Sequence, residues 1–206
     1  MSFLNPVSRF FLNRSAGRRD ARRLAWLRPR LQLPVGAACL EVGAGNADLA
    51  ARLTVAYRPE RYVATDADPR QVEAADRHLR RTFPGGLPPG LEVRTADMRE
   101  LPSPEASWDA VFAFVALHHA SPSHRQYGRV PEALAEIARV LRPGGLLVYE
   151  EIVHRDRIRA WLGEHRFSIV AEERRRWRDR AIVRKASGEV EDTRAASPGG
   201  RADGRK

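Results

Sequence analysis

Five carboxylates, two glycines and a pair of histidines fall where apolar runs end. Glu41, Gly43 and Gly45 lie in the stretch Cys39–Ala47, CLEVGAGNA. Glycine reaches positive φ and carries no Cβ, so a ligand can approach the backbone closely where this run gives way to a helical pattern. Asp66 ends a second apolar run, where a carboxylate can accept hydrogen bonds from both ribose hydroxyls. Asp97 ends a third, and Met98 after it offers a polarizable thioether to an aromatic face. A fourth run ends Phe114-Val-Ala-Leu-His118-His119, and imidazole, which titrates near neutrality, is the usual general base. Glu150 and Glu151 close a fifth. Carboxylates there could orient an amine or hydroxyl, or take its proton. Together these positions mark the crevice in which open α/β sheets hold a nucleotide cofactor.

Two common phosphate-binding solutions are excluded. A dinucleotide fingerprint needs a third small residue where Asp48 stands, and a carboxylate there would repel a pyrophosphate. A P-loop needs Gly-Lys-Ser/Thr, which does not follow Gly45. The Glu-x-Gly-x-Gly arrangement resembles the first motif of the class I S-adenosylmethionine-dependent methyltransferases, with Ala47 where that family usually has a third glycine.

The resemblance implies S-adenosyl-L-methionine as cofactor and methyl transfer as reaction. It implies a loop of Glu41, Gly43, Ala44 and Gly45, with Glu41 orienting the loop and helping to hold the methionine end. It further implies Asp66 and Ala67 at the ribose, Asp97 at the adenine amino group, the backbone of Met98 at a ring nitrogen, and Phe114 at the polar position that often precedes Leu-His-His. The signature of enzymes that methylate exocyclic amino groups of bases is absent. His119, His118 and Glu151 are the catalytic candidates. His118, His119, His124 and the glutamates match no tight ligand spacing, so no metal site is expected.

The elements that must position these groups alternate. Strands are expected at Ala38–Val42, Arg61–Thr65, Leu91–Thr95, Ala110–Val115, Leu146–Glu150, Ser168–Glu172 and Ala181–Lys185. Helices are expected over Asp48–Ala56, from the Asp68-Pro69 cap to about Arg81, from Pro131 to a stop at Pro143-Gly144-Gly145, and over Arg155–Glu164. Strand–helix alternation implies a parallel sheet, and the two closely spaced final strands suggest a hairpin. The expected fold is an α/β Rossmann-like three-layer sandwich, whose mostly parallel seven-stranded sheet ends in an antiparallel C-terminal hairpin. Ahead of it, one helix is expected from an Asn5-Pro6 cap, with the apolar stripe Phe3, Leu4, Val7, Phe10 and Phe11, and a second from Asp20 to near Pro29. Residues 1–34 are thus expected to be a helical lid or substrate segment, 35–186 the cofactor domain, and 187–206 a disordered tail with Val190 its one sizeable apolar residue.

The net charge is +10, with Arg outnumbering Lys 34 to 2, and the basic surplus sits at the flanks. Residues 1–30 hold eight Arg against one Asp, and residues 155–185 hold eleven basic against five acidic groups. Such flanks suit an anionic small molecule, anionic lipid headgroups or nucleic acid. A small-molecule acceptor, apolar, lipid-like or quinone-like, is the first expectation, with peripheral contact to an anionic membrane as a variant. An RNA- or protein-directed methyltransferase is one rival and a non-catalytic cofactor-binding subunit another. One cysteine, Cys39, excludes an internal disulfide and is compatible with a reducing compartment. With no apolar run of spanning length and no good secretory signal, the expected location is cytoplasmic or peripheral to a membrane, with an organelle transit peptide a minor alternative.

Overall fold

The computed structural model of the chain describes the backbone of residues 6–187 and the side chains of residues 17–187. The Asn5 cap, the side chains of the Phe3–Phe11 stripe and the tail beyond Ser187 lie outside the described residues. In chain order the elements are α1 (Pro6–Leu27), β1 (Ala38–Val42), α2 (Asp48–Tyr57), β2 (Arg61–Asp66), α3 (Pro69–Thr82), β3 (Leu91–Thr95) and β4 (Trp108–Phe114). A 3₁₀ turn over Leu117–Ala120 follows, then α4 (Val130–Val140), β5 (Leu141–Glu151), α5 (Arg155–Glu164), β6 (Phe167–Arg175) and β7 (Arg178–Lys185). One seven-stranded sheet runs in the order β3-β2-β1-β4-β5-β7-β6. The first five strands are parallel, and β7 lies antiparallel between β5 and β6. This is the expected seven-stranded sandwich with its C-terminal hairpin.

Period-2 alternation divides the sheet into two buried faces. Leu40, Val63, Val111 and Leu147 meet Ile137 of α4 and Ile158 of α5 in one core. Cys39, Ala64, Phe112 and Val148 meet Leu27 of α1, Leu53 of α2 and Leu79 of α3 in the other. Both faces of the central strands are covered, which is why β1 and β4 read as nearly continuous apolar runs. Strand order reverses at β1/β4, because β2 and β3 lie to one side of β1 and β4 to the other. That switch point opens the crevice beyond the strands' carboxyl ends.

Three local expectations are corrected. The two N-terminal helices are one, α1. Asp20 does not start a helix but lies inside it, 5% exposed, its carboxylate accepting from Arg23 Nη1 at 3.0 Å. Helix α4 stops at Val140, before the Pro143-Gly144-Gly145 turn, because Leu141 is already extended and pairs with Trp108 at the start of the sheet ladder. Strand β4 ends at Phe114, and the histidines that follow it lie on the 3₁₀ turn.

Asp68 caps α3 as expected, its Oδ1 accepting from the Arg70 amide at 2.9 Å with Pro69 at the first helical position. Asp68→Ala should cost about 1 kcal/mol. Thermal unfolding should then start about 3 °C lower in a chain of this size. An unchanged midpoint would mean that tertiary packing alone holds the start of α3.

Candidate active-site cleft

The crevice at the switch point is two adjoining hollows that share the glycine turn. The first, of about 440 Å³, is walled by Gly43, Gly45, Asp66, Ala67, Asp97 and Met98. Asp68, Gln71, Arg99, Val115, Ala116, His119 and Ala120 complete it. The second, of about 260 Å³, is walled by Glu41, Gly43, Ala44, Gly45, Asn46, Leu49, Phe114 and Val115 from below. Arg19, Asp20 and Arg23 of α1 close its other side. All nine residues expected to touch a cofactor therefore stand on the walls of one or both hollows.

The two glycines serve different ends. Gly43 has φ +65°, and a Cβ on it would come within 2.7 Å of the Ala116 Cβ, so the turn could not pack beneath the end of β4. Gly45 has φ +57°, and a Cβ there would meet nothing within 4 Å; it would project into open space that a ligand can use. Ala47, in the place of a third glycine, also adopts φ +56° at the N-cap of α2. Val115 holds φ +58° between the two hollows. A β-branched residue in that region carries strain of about 1–3 kcal/mol. It is held there in part by its amide, which donates to the Glu150 carbonyl at 2.6 Å.

The first hollow is acidic. Asp66 Oδ2 accepts from the Gly45 amide at 3.2 Å and Oδ1 from the Asp68 amide at 3.1 Å. Each oxygen keeps a further lone pair for a ligand hydroxyl. Asp97 is engaged more fully than the sequence suggested. Its Oδ1 takes the Arg99 amide and Nε, both at 2.9 Å, and Arg99 Nη2 also bonds its Oδ2. The guanidinium holds the Asp97 carboxyl below the usual carboxylate range. Three carboxylates against one guanidinium suit ribose hydroxyls and a cationic ligand, and disfavour a phosphate chain. A sulfonium cofactor without phosphates fits this donor set.

In the second hollow Glu41 is 3% exposed and accepts from the Tyr62 hydroxyl at 2.7 Å. Burial pushes its carboxyl up to about 7, against the opposing pull of the Tyr62 hydrogen bond and of Arg23. Arg23 is a residue that sequence reading missed. From α1 it reaches Glu150 Oε1 with Nε at 3.1 Å and Nη2 at 2.8 Å, pairs with Asp20 at 3.0 Å, and lies over the Phe114 ring at 5.2 Å. Only its position one helical turn after Asp20 hinted at a pair, and a run of arginines reads as a solvated face. Arg99, too, gave no signal beyond lying two residues after Asp97.

The three catalytic candidates separate. His119 is exposed and lines the first hollow. Partial desolvation where the ring meets its neighbours, then the charges of His118 and His124, hold its imidazolium pKa below the ordinary histidine value, so the neutral base form is favoured. Neither His118 nor Glu151 lines the cleft. Glu151 is 0% exposed; Oε1 accepts from the Leu117 amide at 2.7 Å and Oε2 bonds His118 Nδ1 at 2.8 Å. With both oxygens enclosed and engaged, Glu151 cannot take an acceptor's proton, and the pair positions the 3₁₀ turn that carries His119. Adjacent strand residues face opposite ways, so Glu150 points toward α1 and Glu151 toward the histidines.

Comparisons with known proteins bear on the family and the fold. The sequence profile described as "Methyltransferase domain" matches residues 40–149. A phthiotriol/phenolphthiotriol dimycocerosates methyltransferase of Mycobacterium leprae is 32% identical over 126 residues, 61% of this chain and 42% of that protein. A fatty-acid O-methyltransferase of Mycolicibacterium smegmatis is also 32% identical over 126 residues, 61% of this chain and 41% of the relative. The chain thus spans less than half the length of these curated relatives. Among solved structures, a SAM-dependent methyltransferase from Aquifex aeolicus superposes with a TM-score of 0.63 at 15% identity, covering 80% of this chain and 88% of that one.

Proposed function

This chain belongs to the methyltransferase domain family, and we propose that it transfers a methyl group from S-adenosylmethionine to an oxygen of a lipid-like small molecule. The observation that carries this reading is the acidic, glycine-floored cleft with one unpaired imidazole on its wall. Asp66 would hold the ribose, Asp97 and Met98 the adenine end, and Glu41 with Ala44 the methionine end. When bound, the cofactor supplies a methyl group activated by its sulfonium. The chain supplies alignment and a base. His119, kept neutral by its surroundings, accepts the acceptor's proton as the new bond forms. Arg23, on the wall of the second hollow, is held in place there by Glu150 and Asp20.

The lipid-like acceptor class is supported by the names of the relatives, a fatty-acid O-methyltransferase and a phthiotriol/phenolphthiotriol dimycocerosates methyltransferase. The arginines of the C-terminal flank weigh against a nucleic-acid substrate, because many are already paired. Arg155 bonds Asp179, Arg159 bonds Glu172, Arg174 bonds Asp156, and both Arg175 and Arg180 bond Glu173. A phosphate backbone would have to compete with those carboxylates.

Calorimetric titration with S-adenosylmethionine, its demethylated product and NAD tests the cofactor. The first two should bind and NAD should not. Transfer of a labelled methyl group to a long-chain fatty acid, a phenolic lipid and bulk RNA tests the acceptor. Label in the RNA alone would overturn the lipid reading, and tight NAD binding would overturn the cofactor.

A further inference from the structure

Linear spacing gave no metal site, but the fold gathers His118, His119 and His124 into one cluster. One ligating nitrogen from each lies within 4.8 Å of the others. The ring centroids are 4.1 Å apart for His118 and His119, 5.2 Å for His118 and His124, and 4.9 Å for His119 and His124. The residues come from two places: the 3₁₀ turn and the loop that leads to α4.

Glu151 gives the cluster a direction. Its buried carboxylate takes His118 Nδ1 at 2.8 Å. A carboxylate acceptor fixes Nδ1 as the N–H, so Nε2 keeps its lone pair. A carboxylate behind an imidazole whose other nitrogen is free is the outer-shell support that metal-ligating histidines use. His118 is buried and held, whereas His119 and His124 are exposed at the cluster's outer side. Three imidazole nitrogens are a borderline-soft donor set that suits zinc and its neighbours over magnesium or calcium.

We propose that His118, His119 and His124 form a three-nitrogen site for a divalent transition metal, zinc being the reference ion, with its fourth position open to the cleft that His119 lines. Zinc–nitrogen bonds of 2.0–2.1 Å place tetrahedral ligands about 3.4 Å apart. The nitrogens must therefore close by up to about 1.4 Å, and the two exposed side chains can supply that movement by rotation about their own bonds. A three-ligand site with a vacant fourth position is the pattern of zinc that binds a substrate oxygen. Placed on the cleft wall, a bound ion would bind and acidify an acceptor hydroxyl, whose proton would pass to solvent water; in that loaded form His119 is a ligand, and its role as base belongs to the metal-free chain. That consequence rests on the methyl-transfer reading; the site itself does not.

The test uses the whole chain, stripped with a chelator and titrated with Zn²⁺ against a chromogenic zinc indicator, then with Co²⁺, whose visible bands report coordination. One ion per chain is expected. His124→Ala, a change in an exposed loop, should weaken binding about hundredfold. Glu151→Gln should weaken it about 10–100-fold through loss of outer-shell support. His165→Ala should leave it unchanged, because His165 stacks on Trp161 and is no part of the cluster. Far-UV circular dichroism checks folding, and His124→Ala decides the matter if Glu151→Gln misfolds. Substoichiometric binding, or His124→Ala binding zinc as tightly as the parent, overturns the site. Titrating the same proteins with S-adenosylmethionine keeps the two readings apart: cofactor binding without zinc binding removes the metal site alone, and zinc binding without cofactor binding removes the methyl-transfer reading alone.

Discussion

Asp66→Ala is expected to weaken S-adenosylmethionine binding more than a hundredfold while leaving the fold intact. The carboxylate ends β2 at the floor of the first hollow and is tied by the Gly45 and Asp68 amides, so it is already aimed before any ligand arrives. Two hydrogen bonds from ribose hydroxyls to a charged acceptor contribute about 1.5–3 kcal/mol each. Their combined loss of about 3 kcal/mol or more exceeds two decades of affinity. The alanine also releases the Gly45 amide, which loosens the turn. Asp66→Asn separates the contributions: it keeps the shape and one acceptor but removes the charge, and should fall between parent and alanine. Calorimetry on all three checks the order. Affinity within threefold of the parent in folded Asp66→Ala would take Asp66 out of the cofactor site.

Raising the pH from 4.5 to about 7 is expected to cost about 3 kcal/mol of stability through Glu41. Burial raises its carboxyl from 4.5 to about 7 in the folded chain. Across that interval the native state keeps a proton that the unfolded chain has released. The native state therefore binds more protons, and stability falls as pH rises until both states are ionised. Asp20, raised by its own burial, adds to the same trend. Glu173 has its carboxyl lowered to about 2 by Arg175 and Arg180, against its burial, and acts in the opposite sense at lower pH. Urea unfolding at pH 5 and pH 8 should show the parent markedly less stable at the higher pH. Glu41→Gln carries no titrating group and should flatten that difference while keeping an oxygen for the Tyr62 hydroxyl. An equal pH slope in parent and variant would mean that Glu41 is ionised in the native chain throughout.

The sequence alone determined the sheet and the glycine and carboxylate walls of the cleft. Both depend on short-range patterns. An apolar run five to seven residues long, a turn with Gly43 and Gly45, and a helix cap at Asp68 each express a local backbone preference, so strand ends could be placed within a few residues. Glu41, Asp66 and Asp97 at those ends then fell into one crevice, because parallel strands bring their carboxyl ends to the same edge. Tertiary structure decided the rest. Glu150 and Glu151 are adjacent in sequence, and alternation sends them to opposite faces. Both faces of β5 are buried, so no polar–apolar pattern revealed which carboxylate met α1 and which met the histidines. Arg23 meets Glu150 across 127 residues, a pairing that no local signal carries. His124 joins His118 and His119 only because the loop before α4 folds back over the 3₁₀ turn. Contacts of this kind are fixed by where the packed elements leave space, and that is a property of the assembled sandwich, not of any segment within it.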